Sequence, residues 1–241
     1  MTLKSRFEFK YHLDPIKALR AKSAINRFMK PDPAAKRGAY IVTSLYFETP
    51  QLADYYEKSG GFLIRKKIRA RIYRPYLTKE TPEIWLEIKK KYDMSIIKTR
   101  VKISLEDWND LINKRFSKLL NKPRNEKDKN ALNEFLWYIM NESRRPSFFI
   151  RYKRYPYLNI EDNRMRVTFD HEIETCNAGN LTEPKQTTPV NQKIVVMEVK
   201  FSDSLPAWFG ILLQQLELKR DTFSKYSNSV DALTPYRPLP R

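Results

Sequence analysis

The stretch Phe62-Leu-Ile-Arg-Lys-Lys-Ile-Arg-Ala-Arg-Ile-Tyr-Arg74 alternates cationic and apolar side chains over most of its length. Because successive side chains of a β-strand point to opposite faces, one face of this segment is apolar and the other carries a row of cations, namely Arg65, Lys67, Arg69 and Arg71. Neighbouring charges in such a row lie about 6.6 to 7 Å apart and repel one another unless water or an anion screens them. The segment predicts a strand whose basic face is either solvated or turned toward an anion.

The same alternation recurs along the chain and predicts a sheet-rich protein. Further alternating segments lie at 6–13, 40–48, 83–91, 97–103, 147–157, 164–170 and 193–201. Short connections between several of them favour antiparallel hairpins. Apolar residues at helical spacing predict helices after Asp14-Pro15, after Thr49-Pro50, from Ser104, over 130–140 and over 205–219. We therefore predict an α+β fold.

The composition points to a polyanionic partner. Lysine and arginine number 46 against 28 acidic residues, which gives a formal net charge of +18. This balance favours binding to nucleic acid, a phosphorylated metabolite, polyphosphate or anionic lipid, and composition alone does not choose among them. Cys176 is the only cysteine, so no internal disulfide can form, and no run approaches the roughly 20 apolar residues of a membrane span. A cytoplasmic location is the resulting expectation.

The glycines limit how phosphate can be bound. The chain has five, at positions 38, 60, 61, 179 and 210, and their spacing matches neither a P-loop nor a dinucleotide-binding fingerprint. Both of these backbone phosphate cradles are therefore excluded. A phosphate ligand has to be held by side chains.

Two sheet arrangements are compatible with these segments. The helices present long apolar stripes that need a surface to cover, so the apolar strand faces can point outward beneath them while the charged faces line a central tunnel. The alternative is an open sheet with helices on one side and an exposed basic face, as in a nucleic-acid binder. Acidic residues on the charged faces favour the tunnel, because a surface that binds only phosphate backbone gains from fewer of them. These residues are Glu8, Glu87, Asp170 and Glu198.

Several short motifs resemble one known family in their order and spacing. They are Glu8-Phe-Lys-Tyr11, Ser44-Leu-Tyr-Phe-Glu48, Arg69-Ala-Arg-Ile-Tyr73, Glu87-Ile-Lys89, Arg164-Met-Arg166, Glu198-Val-Lys200 and Ser224-Lys-Tyr226. Together they resemble the VTC polyphosphate polymerase domain, within the CYTH or triphosphate tunnel metalloenzyme superfamily. The resemblance implies an eight-stranded antiparallel β-barrel tunnel with a polar, charged interior and helices packed on the outside. It implies a single domain over residues 1–233, followed by a proline-rich tail at 234–241.

The same resemblance implies the residues of the site. It assigns phosphate binding to Lys10, Arg69, Arg71, Lys89, Lys98, Arg154, Arg166, Lys200 and Lys225. It gives the catalytic positions to Arg69, Arg71, Lys89 and Arg166. The principal metal carboxylate is expected at Glu198, with Glu8 and Glu87 as further candidates, and the metal is Mn²⁺ or Mg²⁺.

The resemblance implies a polymerase that transfers the terminal phosphate of ATP to a growing polyphosphate chain. Two alternatives stay open: a tunnel triphosphatase, and a non-catalytic polyphosphate-binding module. Arg6 replaces the first acidic residue of the superfamily's ExExK motif, in line with the VTC branch, and Thr222 replaces a basic residue that some relatives carry. The expected partners are ATP or triphosphate and polyphosphate; nucleic acid is not expected, and a membrane-protein partner is left open.

The remaining polar residues are interpreted one group at a time. A further set of cations either lines the tunnel mouths or is solvated, and it comprises Arg65, Lys67, Lys91, Arg100, Arg151 and Arg164. Tyr46 and Tyr226 are expected to be core or hydrogen-bonding walls. His12 and His171 follow no metal-ligand spacing, so we expect neither to act in catalysis.

Overall fold

The computed structural model describes residues 6–92, 95–161, 165–202 and 204–234, and it confirms the α+β class. The strands are β1 (Arg6–Leu13), β2 (Met29–Pro31), β3 (Tyr40–Glu48), β4 (Ile64–Ile72), β5 (Ile84–Tyr92), β6 (Ser95–Ile103), β7 (Arg145–Asn159), β8 (Arg166–Asn177), β9 (Thr188–Pro189), β10 (Val195–Ser202) and β11 (Arg220–Asp221). The helices are α1 (Pro15–Ile25), α2 (Ala53–Ser59), α3 (Leu105–Ile112), α4 (Phe116–Leu120), α5 (Glu126–Asn141), α6 (Ala207–Gln215) and α7 (Lys225–Leu233). Arg164 and the tail from 235 lie outside the described residues.

Strand pairing corrects the predicted eight-stranded barrel. The described strands pair in the order β11-β1-β10-β8-β7-β3-β4-β5-β6, with β2 on β7 and β9 on β8, which gives eleven strands. The pairing order does not return from β6 to β11, so a closed barrel is not observed in the described part of the chain. Alternation along a strand shows which residues share a face. It does not show whether the sheet closes into a barrel, because closure depends on strand tilt and on the stagger of the register.

The chain separates into two compact units. The first unit comprises Met1–Ile41, Tyr152–Ile173 and Pro189–Lys225, and the second comprises Val42–Arg151, Glu174–Thr188 and Tyr226–Arg241. The assignment of residues 1–233 to a single domain stays a prediction.

The core of the first unit lies between its strands and two helices. Val167 and Val199, from the apolar faces of β8 and β10, pack in one buried cluster with Ala21 and Ile25 of α1 and with Phe209 of α6. Helix α1 begins where the sequence predicts it, because the Asp14 side chain accepts a hydrogen bond from the Lys17 backbone N–H and Pro15 occupies the first helical turn.

The core of the second unit is built in the same way. Ile68 of β4 and Ile88 of β5 are fully buried in a cluster with Trp108 of α3 and Phe135 of α5. This arrangement confirms that the apolar faces of the basic strands lie against helices. The charged side chains therefore lie on the opposite face of each strand.

Three helices differ from the sequence expectation, and the one predicted over 205–219 covers only Ala207–Gln215. The helix predicted from Ser104 has the expected capping box with Asp107, but it ends at Ile112 and a second helix, α4, begins at Phe116. The break coincides with Lys114, whose φ of 58° lies in the left-handed region and cannot continue an α-helix. Helix α7 was missed, because Phe223 to Tyr226 and the following residues show little apolar periodicity.

Candidate functional site

In the first unit, strands β1 and β10 bring two glutamates and two lysines together. The antiparallel register places Glu8 opposite Lys200 and Lys10 opposite Glu198. Lys200 Nζ lies 2.7 Å from Glu198 Oε1 and 3.6 Å from Glu8 Oε2. Lys10 Nζ lies 3.4 Å from Glu8 Oε1 and 3.9 Å from Glu198 Oε2. Each carboxylate is therefore shared by both lysines.

Glu198 is the most enclosed carboxylate of this group, with 7% of its side chain exposed. Burial alone would raise its pKa, but Lys200 and Lys10, with Arg154 and Lys225 beyond them, outweigh burial and hold the pKa of Glu198 well below its ordinary value. Glu198 is consequently ionised at neutral pH.

A buried aspartate organises the cations next to it. Arg154 forms two hydrogen bonds to Asp170, from Nε at 2.7 Å and from Nη2 at 2.8 Å. Lys225 Nζ lies 2.6 Å from Asp170 Oδ2. Burial raises the pKa of Asp170, whereas Arg154 and Lys225 lower it by more, so the net pKa is below the ordinary value. The predicted site residues did not include Asp170, although its place on a charged strand face was the available signal.

Arg166 and Thr168, on β8, leave polar atoms unsatisfied. Lys200 pairs with Arg166 and Glu198 pairs with Thr168 in the β10–β8 register. The Arg166 Nη2 contacts Asp32 at 2.9 Å and Tyr40 OH at 3.2 Å. Arg166 Nε and Thr168 Oγ1 are nevertheless buried without a hydrogen-bond partner among the described residues. A buried polar atom without a partner lowers the free energy of unfolding by about 1 to 3 kcal/mol. At Arg166 a ligand with acceptor oxygens would offset this cost.

In the second unit, Glu87 is surrounded by cations of the basic strands. Arg69 donates to Glu87 Oε2 from Nε at 2.8 Å and from Nη2 at 2.6 Å. Arg71 Nη1 lies 3.8 Å from the same oxygen, and Lys98 Nζ lies 2.5 Å from Glu87 Oε1. Both carboxylate oxygens are therefore already in contact with cations.

Charge balance in this group is strongly positive. Burial raises the pKa of Glu87, but Arg69, Arg71 and Lys98 overcome it and hold the pKa far below its ordinary value. The pKa of Lys98 falls to about 8, chiefly through burial and against the attraction of Glu87. Lys89 lies on the same face, since it pairs with Lys67 on β4 and with Lys98 on β6. The cluster favours an additional anion.

Polar residues of β3 hold the arginines in place. Tyr46 OH accepts a hydrogen bond from Arg69 Nη1 at 3.0 Å, and Ser44 Oγ accepts one from Arg71 Nε at 3.1 Å. The β3–β4 register places Ser44 opposite Arg71 and Tyr46 opposite Arg69. The sequence interpretation did not assign Ser44 a role at the arginines.

The structure distributes the predicted site residues between the units. The first unit holds Glu8, Lys10, Arg154, Arg166, Glu198, Lys200 and Lys225. The second unit holds Arg69, Arg71, Glu87, Lys89 and Lys98. The strand registers bring the strand members other than Arg154 to one face within each unit, and Arg154 and Lys225 meet at Asp170. Convergence of the two sets into a single cavity stays a prediction. Of the other cations, Arg151 pairs with Glu174 at 2.6 Å and Arg100 lies 4.7 Å from the centre of the Trp85 ring.

A second buried polar network of the second unit was missed by the sequence interpretation. Arg144 forms two hydrogen bonds to Asp54, at 2.8 and 2.7 Å, and donates to the Phe47 carbonyl oxygen at 3.1 Å. Tyr226 OH donates to Glu48 Oε2, and burial with the nearby Glu48 raises the pKa of Tyr226. All of these side chains are buried. The network anchors α7. Tyr226 is buried and hydrogen-bonded, as expected.

The carboxylates of the first unit are compatible with a divalent cation. No group of three or more histidine, cysteine or acidic side chains is arranged as a metal site within the described residues. A magnesium-type ion commonly takes one or two protein carboxylates and completes its coordination with water and substrate phosphates. Glu8 and Glu198 fit that donor set, because three of their four oxygens lie 3.4 to 3.9 Å from the nearest lysine. Both Glu87 oxygens are instead held by Arg69 and Lys98 at 2.5 to 2.8 Å.

His171, which follows Asp170 on β8 and contacts Lys22, makes the fold sensitive to acid. Its Nε2 is 2.8 Å from Lys22 Nζ, and burial together with that charge lowers the pKa of His171 from 6.5 to about 4. Between those values the unfolded chain binds a proton that the folded chain does not, so the free energy of unfolding falls as pH falls from 6.5 toward 4. Urea unfolding at pH 7 and pH 5 should show a smaller loss of stability for His171→Gln than for the parent. An equal loss in both proteins would contradict this role.

Comparison with solved structures defines the class of fold. A Bacillus halodurans protein named as a candidate adenylate cyclase matches with a TM-score of 0.54 and 12% identity, over 92% of this chain and 94% of that chain. The candidate adenylyl cyclase HpAC1 from Hippeastrum, reported with a dominant triphosphatase activity, matches with a TM-score of 0.52 and 13% identity, over 95% of this chain and 97% of that chain. The protein therefore shares the fold of these two solved structures.

The family follows from the sequence match. The VTC domain model matches residues 5–234, nearly the whole chain, and the protein belongs to the VTC domain family. No curated protein sequence matches the chain significantly. None of the helices in the described ranges has the length and apolar character needed to cross a bilayer.

Proposed function

We propose that this protein is a polyphosphate polymerase that transfers the terminal phosphate of ATP to a growing inorganic polyphosphate chain. Membership of the VTC family over residues 5–234 supports the polymerase. The observation that best supports phosphate binding is the buried Arg166 Nε, which has no hydrogen-bond partner among the described residues. It belongs to a unit in which cations surround ionised carboxylates such as Glu198. A phosphate oxygen is an acceptor that this donor lacks.

The arginines and lysines bind and orient the phosphates. Phosphoryl transfer depends mainly on positioning and on neutralisation of charge, and it needs no protein nucleophile. Arg69 and Arg71 are held by Glu87, Tyr46 and Ser44, so their guanidinium groups are preorganised to donate to phosphate oxygens. The proposed phosphate-binding set is Lys10, Arg69, Arg71, Lys89, Lys98, Arg154, Arg166, Lys200 and Lys225.

Glu198 and Glu8 would hold the divalent cation, Mn²⁺ or Mg²⁺. Such an ion would supply neutralisation of the transferring phosphate. Glu87 is assigned instead to the orientation of Arg69, since Arg69 and Lys98 occupy its two oxygens at hydrogen-bond distance. The terminal oxygen of the acceptor chain attacks the γ-phosphorus of ATP, the bond to the β-phosphate oxygen breaks, and ADP leaves.

A triphosphatase is the second candidate, because HpAC1 is described with a dominant triphosphatase activity. It would bind the same ligand and pass the phosphate to water. Incubation of the purified protein with ATP and Mn²⁺, followed by gel resolution of long polyphosphate from free phosphate, separates the two functions. Long polyphosphate supports the polymerase, free phosphate alone supports the triphosphatase, and neither product indicates a binding module.

Tripolyphosphate is expected to raise the melting temperature of the protein. Within each unit the cations repel one another when no ligand is bound. A ligand that binds only the folded state raises the free energy of unfolding by about 2.7 kcal/mol when its concentration is 100 times Kd. A single-stranded oligonucleotide of equal charge should stabilise less, because its bases do not complement lysine and arginine clusters shaped for phosphate. Differential scanning fluorimetry at fixed ionic strength measures both. Equal stabilisation would favour an open nucleic-acid-binding face.

A further inference from the structure

Thr168, on β8, has a buried hydroxyl that forms no hydrogen bond among the described residues. Only 4% of the residue is exposed, so bulk water does not replace the missing partner. An unsatisfied buried hydroxyl lowers the free energy of unfolding, and valine would fill the same volume without that cost. Packing therefore does not explain a threonine at this position.

Another buried threonine of β8, Thr175, shows the usual arrangement. Thr175 is fully buried, and its Oγ1 donates a hydrogen bond to the Phe149 carbonyl oxygen at 2.8 Å. Buried hydroxyls in folded proteins are generally satisfied in this way. The same strand thus contains one satisfied hydroxyl and one, at Thr168, for which no described residue supplies the acceptor.

Thr168 lies on the face of the sheet that holds candidate phosphate and metal residues. It is directly opposite Glu198 in the β8–β10 register, and residues in such a pair share a face. Arg166, two positions earlier on β8, is opposite Lys200 on the same face. Val167, between them, points the other way into the core of the first unit. Glu198 Oε1 contacts Lys200 Nζ at 2.7 Å, and no hydrogen bond joins Glu198 to the hydroxyl.

A second unsatisfied donor adjoins the hydroxyl. Arg166 Nε is also buried without a partner in the described part of the chain, and the Cα atoms of Arg166 and Thr168 lie about 6.6 to 7 Å apart along the strand. An arginine N–H can only donate a hydrogen bond, whereas a hydroxyl can donate or accept one. A ligand that satisfies both atoms therefore carries acceptor oxygens and is not a cation. Phosphates linked by anhydride bonds present such oxygens over several positions.

We propose that the Thr168 hydroxyl donates a hydrogen bond to an oxygen of a bound phosphate chain, next to the oxygen that Arg166 Nε binds. The ligand is a triphosphate or a polyphosphate, and the inference rests on the phosphate ligand of the proposed function but not on chain extension. Because Thr168 adjoins Arg166 along the strand and Glu198 across it, the hydroxyl positions the phosphate that faces the candidate metal carboxylate. The ligand supplies the partner that the free protein lacks.

Three variants test this contact, with tripolyphosphate as the probe in buffer freed of divalent metal. Thr168→Val removes only the hydroxyl, so it should raise the melting temperature without ligand by at least about 2 °C and weaken tripolyphosphate binding at least about tenfold. Thr168→Ser keeps the hydroxyl and loses a methyl group, so it should melt at a lower temperature and bind as the parent does. Thr175→Val is the matched control: it removes a satisfied hydroxyl, so it should melt lower with unchanged affinity.

Opposite changes in affinity and melting temperature at Thr168, measured by calorimetry and scanning fluorimetry, distinguish a ligand contact from a structural role. The contact is overturned if Thr168→Val binds tripolyphosphate as the parent does, if its affinity and melting temperature fall together, or if Thr168→Ser loses affinity as well. Weaker binding of Mn²⁺ alone in Thr168→Val, with tripolyphosphate binding unchanged, would show that the hydroxyl binds the cation instead.

The product assay with ATP decides the polymerase separately. Loss of tripolyphosphate binding in Thr168→Val, with retention in Thr168→Ser, supports the contact even if the parent makes no polyphosphate from ATP. Unchanged binding in Thr168→Val overturns the contact even if polyphosphate forms. Failure of the contact and failure of the proposed function are therefore seen in different measurements.

Discussion

Glu198→Gln is expected to lower polyphosphate synthesis by on the order of 10²-fold or more while triphosphate binding is retained. The substitution keeps the size of the side chain and removes one negative charge next to Lys200 and Lys10. A phosphate ligand then meets less repulsion, so binding should be unchanged or tighter. The proposed cation loses a carboxylate, and the charge neutralisation that accelerates transfer is lost with it. Turnover is measured with ATP and saturating Mn²⁺, and binding by calorimetry with tripolyphosphate.

Arg71→Ala is the contrasting variant, since it removes a donor and leaves Glu198 in place. Binding of triphosphate should weaken by about 1.5 to 3 kcal/mol, the usual cost of a lost hydrogen bond to a charged group. A Glu198→Gln protein that is folded and turns over normally under saturating Mn²⁺ would move the metal assignment to Glu8. A loss of triphosphate binding in Glu198→Gln would instead show that Glu198 positions the lysines.

Arg144→Met is expected to destabilise the protein by about 3 to 5 kcal/mol. Arg144 is fully buried and satisfies Asp54 through two hydrogen bonds, and its Nη1 lies 3.9 Å from Glu48 Oε1. Methionine fills much of the same volume, but it leaves two buried acidic groups without their cation. Urea unfolding at pH 7 measures the loss as a lower midpoint with an unchanged slope.

Arg115 provides the matched control. It pairs with Asp110 at 3.8 Å and its side chain is 57% exposed, so Arg115→Met should change stability by no more than about 0.5 kcal/mol. Adding Asp54→Asn to Arg144→Met should recover part of the lost stability, because one of the stranded charges is removed. Equal stability of Arg144→Met and the parent would show that the buried network contributes nothing to the fold.

Much of the secondary structure was predictable because each element has a local signal. The alternation of Phe62 to Arg74 identified a strand that the structure places at Ile64–Ile72, with its apolar face under helices. Ser104 and Asp107 formed the predicted capping box. The short strands β2, β9 and β11 were not identified, since two or three residues carry no periodicity.

The chemical character of the candidate site was also predictable. Which acidic side chain would contact which cation was not. Alternation placed Arg69 and Arg71 on one face of β4 and Glu87 on the corresponding face of β5. It did not show that Arg69 and Lys98 would occupy both oxygens of Glu87 at hydrogen-bond distance, which favours orientation of Arg69 over metal binding. Which ionic partners meet depends on the register between strands, and a one-residue shift would change every pair.

The faces of the strands, the basic character of the protein and the absence of a glycine-rich phosphate loop all follow from the sequence alone, because these depend on residue type and on spacing along a single segment. The contacts of Arg144 with Asp54, 90 positions away, and of Tyr226 with Glu48, 178 positions away, became known only from the folded structure. It also decided that the chain continues into α7 after Lys225. Contacts between distant segments arise from packing of the whole unit, and no local period encodes which distant side chains will share a buried space.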